Sequence, residues 1–475
     1  MNNQEFRKYA HELADWMADY FEDIEKYPVK AQTKPGEIID RLPLSPPGKG
    51  ESMEQIIADF KKIILPGMTH WQHPSFFAYF NANNSYPSVL AEMLTAAMGA
   101  QCMIWQTSPA AAELEERVMQ WVAELIGLPD SFTGVIQDTA STASLCSLLT
   151  AREKYSDFKI NEQGFTGENN FTIYSSSEAH SSIEKGVKIA GFGKNNLRKI
   201  RVDENFAMIP AALEEEIKKD RQAGLRPLAV IAACGTTGST AVDPLKQIGE
   251  ICSRYDTWLH VDAAYAGTAL MLPDMRWLIE GIEYADTFVF NPHKWMFTNF
   301  DCSAYYAKDK GALIRTFEIL PEYLKTKEGQ QVNNYRDWGI PLGRRFRALK
   351  LWFVIRSFGR EGLQQKIRNH IAWAHDLAAK IEAAEDFELL APVPLATLCF
   401  RYKPAGIEDE AQLNGLNTQL LESLNQTGKL YLTHTKLNNV YTIRLVVGQT
   451  QVREDHVVRA WELIRQTAQA ISKKI

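Results

Sequence analysis

The sequence predicts an α/β fold in which helices cover both faces of a parallel β-sheet. Short apolar runs have the length and composition of buried strands, and segments with helical spacing of apolar residues separate several of them. Repeated alternation of strand and helix is typical of a parallel sheet. The predicted strands span residues 171–174, 199–202, 228–233, 257–261 and 287–290.

The composition is that of an ordinary soluble globular protein. The chain has 475 residues, which suits two or three domains better than one small core. Hydrophobic residues make up 45% of it and charged residues 23%. The net charge is −6 and no stretch is strongly basic, so nucleic acid is not an expected partner. No apolar run reaches the ~18–20 residues of a membrane span, and the polar residues 1–5 lack a signal-peptide core.

The cysteines are scattered along the chain and form no C-x-x-C pair. This pattern predicts reduced thiols in a cytoplasmic protein and argues against a disulfide framework or a zinc site. His70 and His73 lie close together, but nothing completes a set of metal ligands, so no metal is expected. The six cysteines are Cys102, Cys146, Cys234, Cys252, Cys302 and Cys399.

The amino-terminal part is predicted to be helical. Apolar residues recur at helical spacing over residues 3–27, and a second helix is predicted over residues 53–64. Two further helices are predicted over residues 87–99 and 110–126. A helix with a broad apolar face must bury that face, either against its own large domain or against a second subunit. The residues alone leave both alternatives open.

The carboxyl-terminal part mixes helices with strands and carries no chemical motif of its own. We therefore expect three domains: a helical segment at 1–85, a large α/β domain at 86–357 and an α+β domain at 358–475. The elements predicted in the last domain are helices at 363–384, 410–426 and 455–472, and strands at 398–402 and 441–446.

A lysine follows the last predicted strand of the large domain. Lys294 lies between His293 and Trp295, directly after the apolar run 287–290. An amine among aromatic rings is partly desolvated, which favours its neutral form, and a neutral amine can form a Schiff base with a carbonyl. A lone lysine is more often a surface residue whose stem lies on aromatic side chains. The rest of the sequence favours the catalytic interpretation.

An aspartate occupies the matching position on a second strand. Asp262 follows the predicted strand 257–261, and ligands of open α/β sheets bind outside the carboxyl ends of strands. A lysine and an aspartate at two such ends suit pyridoxal phosphate, because the lysine binds the aldehyde and the carboxylate pairs with the pyridinium nitrogen. Asp262 alone could equally be a helix cap or an ion-pair partner.

Small hydroxyl residues follow residues 134–137 and begin a predicted helix. Residues 138–144 offer backbone N–H groups and hydroxyls at a helix amino terminus, where the dipole favours phosphate. Such a run is more often a simple helix cap. The sequence contains no G-x-G-x-x-G and no Walker A pattern, so neither NAD nor ATP is expected.

Three motifs together resemble one enzyme family. NPHKW at 291–295, WLHVDAAYAG at 258–267 and IPLGRRFR at 340–347 resemble the group II pyridoxal-phosphate-dependent decarboxylases, and within them the aromatic-L-amino-acid decarboxylases. The likeness extends from the amino terminus to about Trp461. It implies PLP-dependent transferase fold type I, with a mainly parallel sheet of the seven-stranded type. It also implies a cytoplasmic homodimer with the site at the subunit interface, and an amino-terminal segment that takes part in dimerisation.

The resemblance implies a role for each candidate cofactor residue. Lys294 binds pyridoxal 5'-phosphate, Asp262 holds the ring nitrogen protonated, and His180 stacks on the ring near the substrate carboxylate. Thr139, Ala140 and Ser141 are the expected phosphate ligands. Further expected contacts to the cofactor come from Thr237, Ala264, Asn291 and His293.

The expected substrate pocket is aromatic, and the resemblance implies that an aromatic L-amino acid binds in it. The residues implied to line it are Trp71, Tyr79, Phe80, Ala82, His180 and Gly343. At 81–84 the chain reads Asn-Ala-Asn-Asn, where the animal enzymes carry Pro-Thr and then small residues, so Ala82 lacks the hydroxyl of that threonine. Gly343 accompanies indolic substrates in plant relatives. This points to tryptophan-like substrates, with Phe, Tyr and DOPA still open.

The polar stretch 316–337 is predicted to be disordered or a lid. The resemblance implies a mobile catalytic loop in which Tyr323 protonates the substrate Cα, assisted by His180. In related enzymes, Phe at the loop position or Asn at the histidine position accompanies aldehyde synthesis, and here both residues are of the decarboxylase type. The alternatives are an aromatic aldehyde synthase, a decarboxylase of a non-aromatic amino acid and, least expected, a non-catalytic PLP-binding dimer.

Overall fold

The computed structural model describes residues 1–167, 170–319 and 331–473. The chain forms two compact units. The first consists of Met1–Asn81, Asp376–Leu390 and Phe400–Ile475, and the second of Ala82–His375 and Ala391–Cys399. Among the described residues, no helix is both long enough and apolar enough to cross a membrane.

The first unit begins with two helices. Helix α1 (Asn3–Glu22) is capped by Asn2, whose side-chain oxygen accepts the N–H groups of Gln4 and Glu5. Helix α2 (Met53–Asp59) continues as a π-helical turn over Phe60–Ile64. Within the described chain no residue of α1 is buried, although the helix carries apolar side chains.

The helices of the second unit surround its sheet. Those that begin before residue 200 are α3 (Tyr86–Met98), α4 (Pro109–Ile126), α5 (Ala140–Tyr155), α6 (Lys159–Gln163) and α7 (Ser181–Ile189). Those that follow are α8 (Pro210–Gln222), α9 (Leu245–Tyr255), α10 (Pro292–Trp295), α11 (Lys310–Phe317) and α12 (Arg347–Glu382), the last interrupted at Gly359 and ending in the first unit.

Seven strands of the described chain form the sheet of the second unit, in the order β1-β7-β6-β5-β4-β2-β3. Neighbouring strands from β3 to β6 are parallel, and β7 is antiparallel to both β6 and β1. The predicted α/β class with a mainly parallel sheet is therefore confirmed. The strands are β1 (Thr133–Gln137), β2 (Phe171–Ser176), β3 (Leu197–Ile200), β4 (Arg226–Ala233), β5 (Trp258–Asp262), β6 (Thr287–Phe290) and β7 (Ser303–Ala307).

Helix α5 lies in the middle of the core of this unit. Its residues Leu148 and Ala151 pack with α7 against β2, β4 and β5. Its residues Ala143 and Cys146 pack with α11 against β1, β6 and β7. Because α5 starts only three residues after β1 ends, this packing fixes its amino terminus at the edge of the sheet where β1 ends.

The carboxyl-terminal part contains a smaller sheet of four described strands in the order β10-β11-β9-β8. Helices α13 (Glu410–Gln426) and α14 (Glu454–Ser472) contact each other, and α13 also contacts β11. The strands are β8 (Phe387–Leu389), β9 (Thr397–Tyr402), β10 (Thr433–Leu437) and β11 (Val440–Val446).

The contact between Gly267 and β6 predicts a stability effect. An added Cβ at Gly267 would overlap the Cβ of buried Phe290, so Gly267→Ala must displace one of the two segments. We expect a loss of about 1–3 kcal/mol in the free energy of unfolding, measured by urea denaturation. The control is Gly48→Ala, whose added Cβ meets no described atom within 4 Å. Equal stability of the two variants would contradict the packing described here.

Candidate active site

The carboxyl ends of β4, β5 and β6 meet at one edge of the sheet. In the strand register, Ala233 pairs with Asp262 and Asp262 pairs with Val289. Asp262 is the last residue of β5, and Lys294 lies four residues after β6, in the single turn of α10. The structure thus places both predicted residues at the edge where ligands of α/β sheets bind.

One hydrogen bond holds the Asp262 carboxylate within the turn after β5, and a second connects this turn to the one that carries Lys294. The carboxylate Oδ1 of Asp262 accepts the N–H of Ala264 at 3.1 Å. The carbonyl of Ala264 in turn accepts the N–H of Asn291 at 3.0 Å. Asp262 and Ala264 are half-buried, so this arrangement holds a partly exposed carboxylate beside the start of α10.

The Lys294 turn is fixed on its amino-terminal side by Asn291. The buried Asn291 accepts the Lys294 N–H on its carbonyl at 2.9 Å. Its side-chain Oδ1 accepts the hydroxyl of Ser303 at 2.6 Å, and the same hydroxyl lies 3.2 Å from the carbonyl of Asp138. Ser303 on β7 therefore places the Lys294 turn next to the segment that enters α5.

Aromatic packing fixes the carboxyl-terminal side of the same turn. Trp295 is fully buried and stacks on Tyr265, with ring centroids 4.6 Å apart and planes inclined by 7°. The indole N–H of Trp295 donates to Nδ1 of His370 at 2.9 Å. Lys294 itself is half-buried, as its aromatic neighbours in the sequence predicted.

His293 is a neutral hydrogen-bond donor. It is buried, and its Nδ1 accepts the N–H of Cys302 at 3.0 Å. Burial, with a further contribution from the charge of Lys294, lowers the pKa of His293 to about 3. Since Nδ1 accepts a hydrogen bond, the ring proton is on Nε2. His293 can therefore donate to an anion without carrying a charge.

His180 is the first residue before α7 and caps that helix. Its Nδ1 accepts the backbone N–H of Ser182 at 3.2 Å, which assigns the proton of the neutral ring to Nε2. Desolvation lowers the pKa of His180, the charge of Asp262 raises it, and the charge of Lys294 lowers it. Both charged groups therefore lie within electrostatic range of this ring, although the side chain is exposed at the surface of the chain.

The predicted phosphate residues lie at the start of α5. Thr139 caps this helix, with its hydroxyl oxygen accepting the N–H of Thr142 at 3.3 Å, and its own N–H donates to Asp138 Oδ1 at 2.7 Å. Ala140 is buried and Ser141 is exposed. Thr237 is exposed in the turn after β4. The amino terminus of a 16-residue helix is a suitable site for an anion.

The predicted substrate residues are divided between the two units. In the first unit, Trp71 stacks on Tyr79 with centroids 5.7 Å apart, and Phe80 lies 5.1 Å from the guanidinium of Arg444. In the second unit, Gly343 is exposed, and a Cβ added there would lie 3.2 Å from Nε2 of Gln101. Ala82 is also in the second unit.

The stretch 316–337 is described only at its two ends. Residue 316 lies in α11, and residues 335–338 form a buried 3-10 turn that contains Tyr335 and Trp338. This end of the stretch is packed rather than an exposed loop. Tyr323 lies outside the described residues.

The arginine motif at 340–347 has a structural function. The guanidinium of Arg344 is buried and donates to both carboxylate oxygens of Glu115, at 3.1 and 2.7 Å. Glu115 Oε1 accepts the N–H of Ile136, and Arg344 donates to the Ile136 carbonyl. The pair therefore joins α4 and β1 to the segment that carries Gly343.

Several partners in the site were not identified from the sequence. Ser303 holds Asn291, the Cys302 N–H holds His293, and Ser182 holds His180. Asn83 contacts the carbonyl groups of both His293 and Lys294. The one available signal was the asparagine-rich stretch at 81–84.

The donor set fits pyridoxal phosphate. Lys294 supplies an amine for an aldehyde, Asp262 a carboxylate for a ring nitrogen, and the start of α5 supplies hydroxyl and N–H groups for phosphate. His180 and His293 add two neutral N–H donors. The fold and this set of groups define a PLP-dependent enzyme of fold type I.

Comparison with known proteins identifies the family. A model described as the pyridoxal-dependent decarboxylase conserved domain matches residues 35–403. A phenylacetaldehyde synthase of Arabidopsis thaliana is 42% identical over 484 residues, which cover 100% of this chain and 98% of that protein. Tyrosine decarboxylase 2 of Narcissus pseudonarcissus is 42% identical over 98% of this chain and 95% of its own length.

A solved structure agrees with these relatives. The crystal structure of Catharanthus roseus tryptophan decarboxylase in complex with L-tryptophan has a TM-score of 0.93 and 37% identity, and the match covers 99% of each chain. The chain belongs to the pyridoxal-dependent decarboxylase family. It is a PLP-dependent carboxy-lyase, so the predicted family, cofactor and enzyme class are confirmed.

The electrostatics of His180 predict opposite shifts in two variants. Removing the positive charge with Lys294→Met should raise the pKa of His180, and removing the negative charge with Asp262→Asn should lower it further below its usual value of 6.5. Both are measured in the cofactor-free protein as the pH dependence of carbethoxylation of His180, followed by mass spectrometry. Buried His370 is the internal reference, since it should stay unreactive. Shifts of the same sign in both variants would contradict the geometry.

Proposed function

We propose that this enzyme removes the α-carboxylate of an aromatic L-amino acid as CO₂ and releases the corresponding amine. The observation that carries the proposal is the placement of Lys294 and Asp262 at neighbouring strand ends, with His180 in electrostatic range of both. The aromatic substrate is supported by relatives named for tyrosine and tryptophan decarboxylation.

The residues of the chain have distinct roles in this proposal. When bound, pyridoxal phosphate supplies an electron sink for the pair released as the carboxylate leaves. Lys294 holds the aldehyde carbon, and the carboxylate of Asp262 keeps a proton on the ring nitrogen. The start of α5 binds the phosphate through Thr139, Ala140 and Ser141.

Proton transfer and substrate orientation fall to other side chains. His180, protonated on Nε2, is oriented by Ser182 and donates toward the substrate carboxylate. Tyr323 delivers a proton to the substrate Cα, with His180 assisting. Asn291, His293, Ala264 and Thr237 complete the cofactor site. The resemblance to the family is the basis for assigning substrate binding to Trp71, Tyr79, Phe80, Ala82 and Gly343.

Aldehyde synthesis is the second candidate, because a phenylacetaldehyde synthase is 42% identical over the whole chain. The two activities differ in the step after CO₂ leaves: protonation of Cα gives the amine, whereas oxidation by O₂, which yields peroxide, followed by hydrolysis with water gives aldehyde and ammonia. His180 and Tyr323 favour protonation, since each carries a proton that it can donate. Their presence is the reason for placing the decarboxylase first.

Tryptophan and related indoles are the proposed preferred substrates. The basis is the resemblance to plant enzymes in which glycine at the position of Gly343 accompanies indolic substrates. Phenolic amino acids remain candidate substrates because a tyrosine decarboxylase is a close relative. Acidic amino acids are disfavoured by the aromatic set Trp71, Tyr79 and Phe80.

We further propose a cytoplasmic homodimer with the active site at the subunit interface. Apolar side chains are exposed on two helices: Phe6 (61%) and Leu13 (36%) on α1, and Leu90 (56%), Leu94 (49%) and Met98 (56%) on α3. Apolar helix faces are stable when another surface covers them. The buried free cysteines support a reducing compartment. The domain limits 1–85, 86–357 and 358–475 belong to the same proposal.

Product analysis tests the proposed reaction. The PLP-loaded enzyme is given Trp, 5-hydroxytryptophan, Phe, Tyr, DOPA and Glu separately, and amine, CO₂, aldehyde and peroxide are quantified. We expect amine and CO₂ in equal amounts from aromatic substrates, and a shift toward aldehyde and peroxide in Tyr323→Phe. Lys294→Ala serves as the blank. Aldehyde as the main product of the wild-type enzyme would overturn the assignment.

Charge on α1 should weaken the dimer. The double variant Phe6→Glu with Leu13→Glu is expected to shift the molar mass measured by light scattering from dimer toward monomer, because burying carboxylates is unfavourable. The control is His11→Glu, an exposed polar position of the same helix. A double variant that stays dimeric would exclude α1 from the interface.

A further inference from the structure

The turn that carries Lys294 cannot supply hydrogen-bond donors for all of its own backbone carbonyl groups. Helix α10 has four residues, Pro292–Trp295, so its carbonyl groups belong to a last helical turn, where most lack partners within the helix. The Pro292 carbonyl accepts the N–H of Met296 at 3.1 Å. The carbonyl groups of His293 and Lys294 need donors from elsewhere, because buried acceptors without donors are costly.

Asn83 supplies both donors. Its backbone N–H donates to the His293 carbonyl at 3.0 Å, and its side-chain Nδ2 donates to the Lys294 carbonyl at 2.6 Å. Asn83 is 1% exposed, so water does not compete for these bonds. The backbone bond would survive replacement of the side chain. The side-chain bond acts on the peptide group of the lysine itself.

Ser85 makes a comparable contact two residues further along. Its hydroxyl donates to the carbonyl of Phe297 at 2.7 Å, and its N–H donates to Ser88 at 2.9 Å. Ser85 and Asn83 are both buried and both bind a backbone carbonyl of the same segment. They differ in one respect: the acceptor of Asn83 is Lys294, and that of Ser85 lies three residues beyond it.

We propose that Asn83 is a positioning residue that orients Lys294 toward the cofactor carbonyl by holding the lysine's peptide group. Asn291 fixes the N–H of Lys294, and the Trp295 indole is fixed by His370, so the Asn83 amide completes the constraint on the lysine's own carbonyl. With the backbone fixed, the direction of the Cα–Cβ bond is fixed, and the amine needs less ordering to reach its target. This inference rests on the proposed role of Lys294.

The contacts of Asn83 assign a function to part of the asparagine-rich stretch 81–84. The sequence of this stretch by itself points only to substrate recognition, because Ala82 has no hydroxyl. Asn83 contacts the backbone on either side of the His293–Lys294 peptide bond. The departure in this chain therefore concerns the geometry of the lysine turn as well as the pocket.

Three variants test the proposal. Asn83→Ala removes the side-chain donor, and Asn83→Asp keeps the size and shape but replaces the donor with an acceptor. Ser85→Ala is the matched control, since it removes one buried hydrogen bond to the same segment. The readouts are the pH midpoint of the visible absorption of the lysine-bound cofactor, the rate of cofactor release and the melting temperature of the cofactor-free protein.

We expect both Asn83 variants to shift the absorption midpoint and to release the cofactor about five- to tenfold faster, as loss of one buried hydrogen bond implies. All three variants should lower the melting temperature of the cofactor-free protein by similar amounts. Ser85→Ala should leave the absorption midpoint unchanged. If Asn83→Asp does not fold, Asn83→Ala against Ser85→Ala still decides the question.

Results that overturn the positioning role of Asn83 differ from the result that overturns the role of Lys294. A wild-type absorption band that is unchanged in both Asn83 variants, or shifted equally by Ser85→Ala, overturns the positioning role alone. Wild-type protein that shows no visible band with pyridoxal phosphate overturns the proposed role of Lys294, and the inference with it.

Discussion

The site depends on the parallel pairing of β5 with β6, which brings the carboxyl ends of the two strands together. Two backbone hydrogen bonds extend this pairing past the strand ends: the Ala263 N–H donates to the Val289 carbonyl, and the Asn291 N–H donates to the Ala264 carbonyl. Within the turn after β5, the Asp262 carboxylate accepts the Ala264 N–H. These contacts hold the segment with the carboxylate beside the turn that carries Lys294.

Neutral imidazole N–H donors accompany the charged pair Asp262 and Lys294. His180 and His293 each accept a backbone N–H at Nδ1, so each has its ring proton on Nε2, and burial disfavours the charged form of both. A neutral donor can bind a phosphate or carboxylate and leaves the charge balance to Lys294 and Asp262. The fold thus separates two tasks, orientation by neutral groups and charge stabilisation by the charged pair.

Helices and strands were predicted well from the sequence where the apolar residues follow one clear spacing. Strands β2, β3, β4, β5 and β6 and helices α3, α4, α13 and α14 were predicted to within a few residues, because apolar runs and helical spacing report local burial. Strand β7 was not singled out, since it is short and its antiparallel direction depends on β1 and β6. The helix predicted over 363–384 corresponds to the part of α12 after Gly359, and the helical segment before Gly359 was not predicted.

The sequence predicted the candidate catalytic residues but not the residues that hold them by hydrogen bonds. Lys294, Asp262 and His180 follow strand ends, a position that local patterns reveal. Their partners lie far away in sequence: Asn83 is 211 residues from Lys294, and His370 is 75 residues from Trp295. Such pairs arise from the tertiary fold, and only coordinates reveal them. The relation of Trp71, Tyr79 and Phe80 to the lysine was likewise inferred from resemblance and stays a prediction.

Borohydride reduction shows which lysine holds the cofactor. The protein loaded with pyridoxal phosphate is reduced, digested and mapped by mass spectrometry. We expect the reduced cofactor on the peptide that contains Lys294, and less of it there when an aromatic amino acid is added before reduction. Attachment to another lysine, or to none, would show that Lys294 does not hold the cofactor.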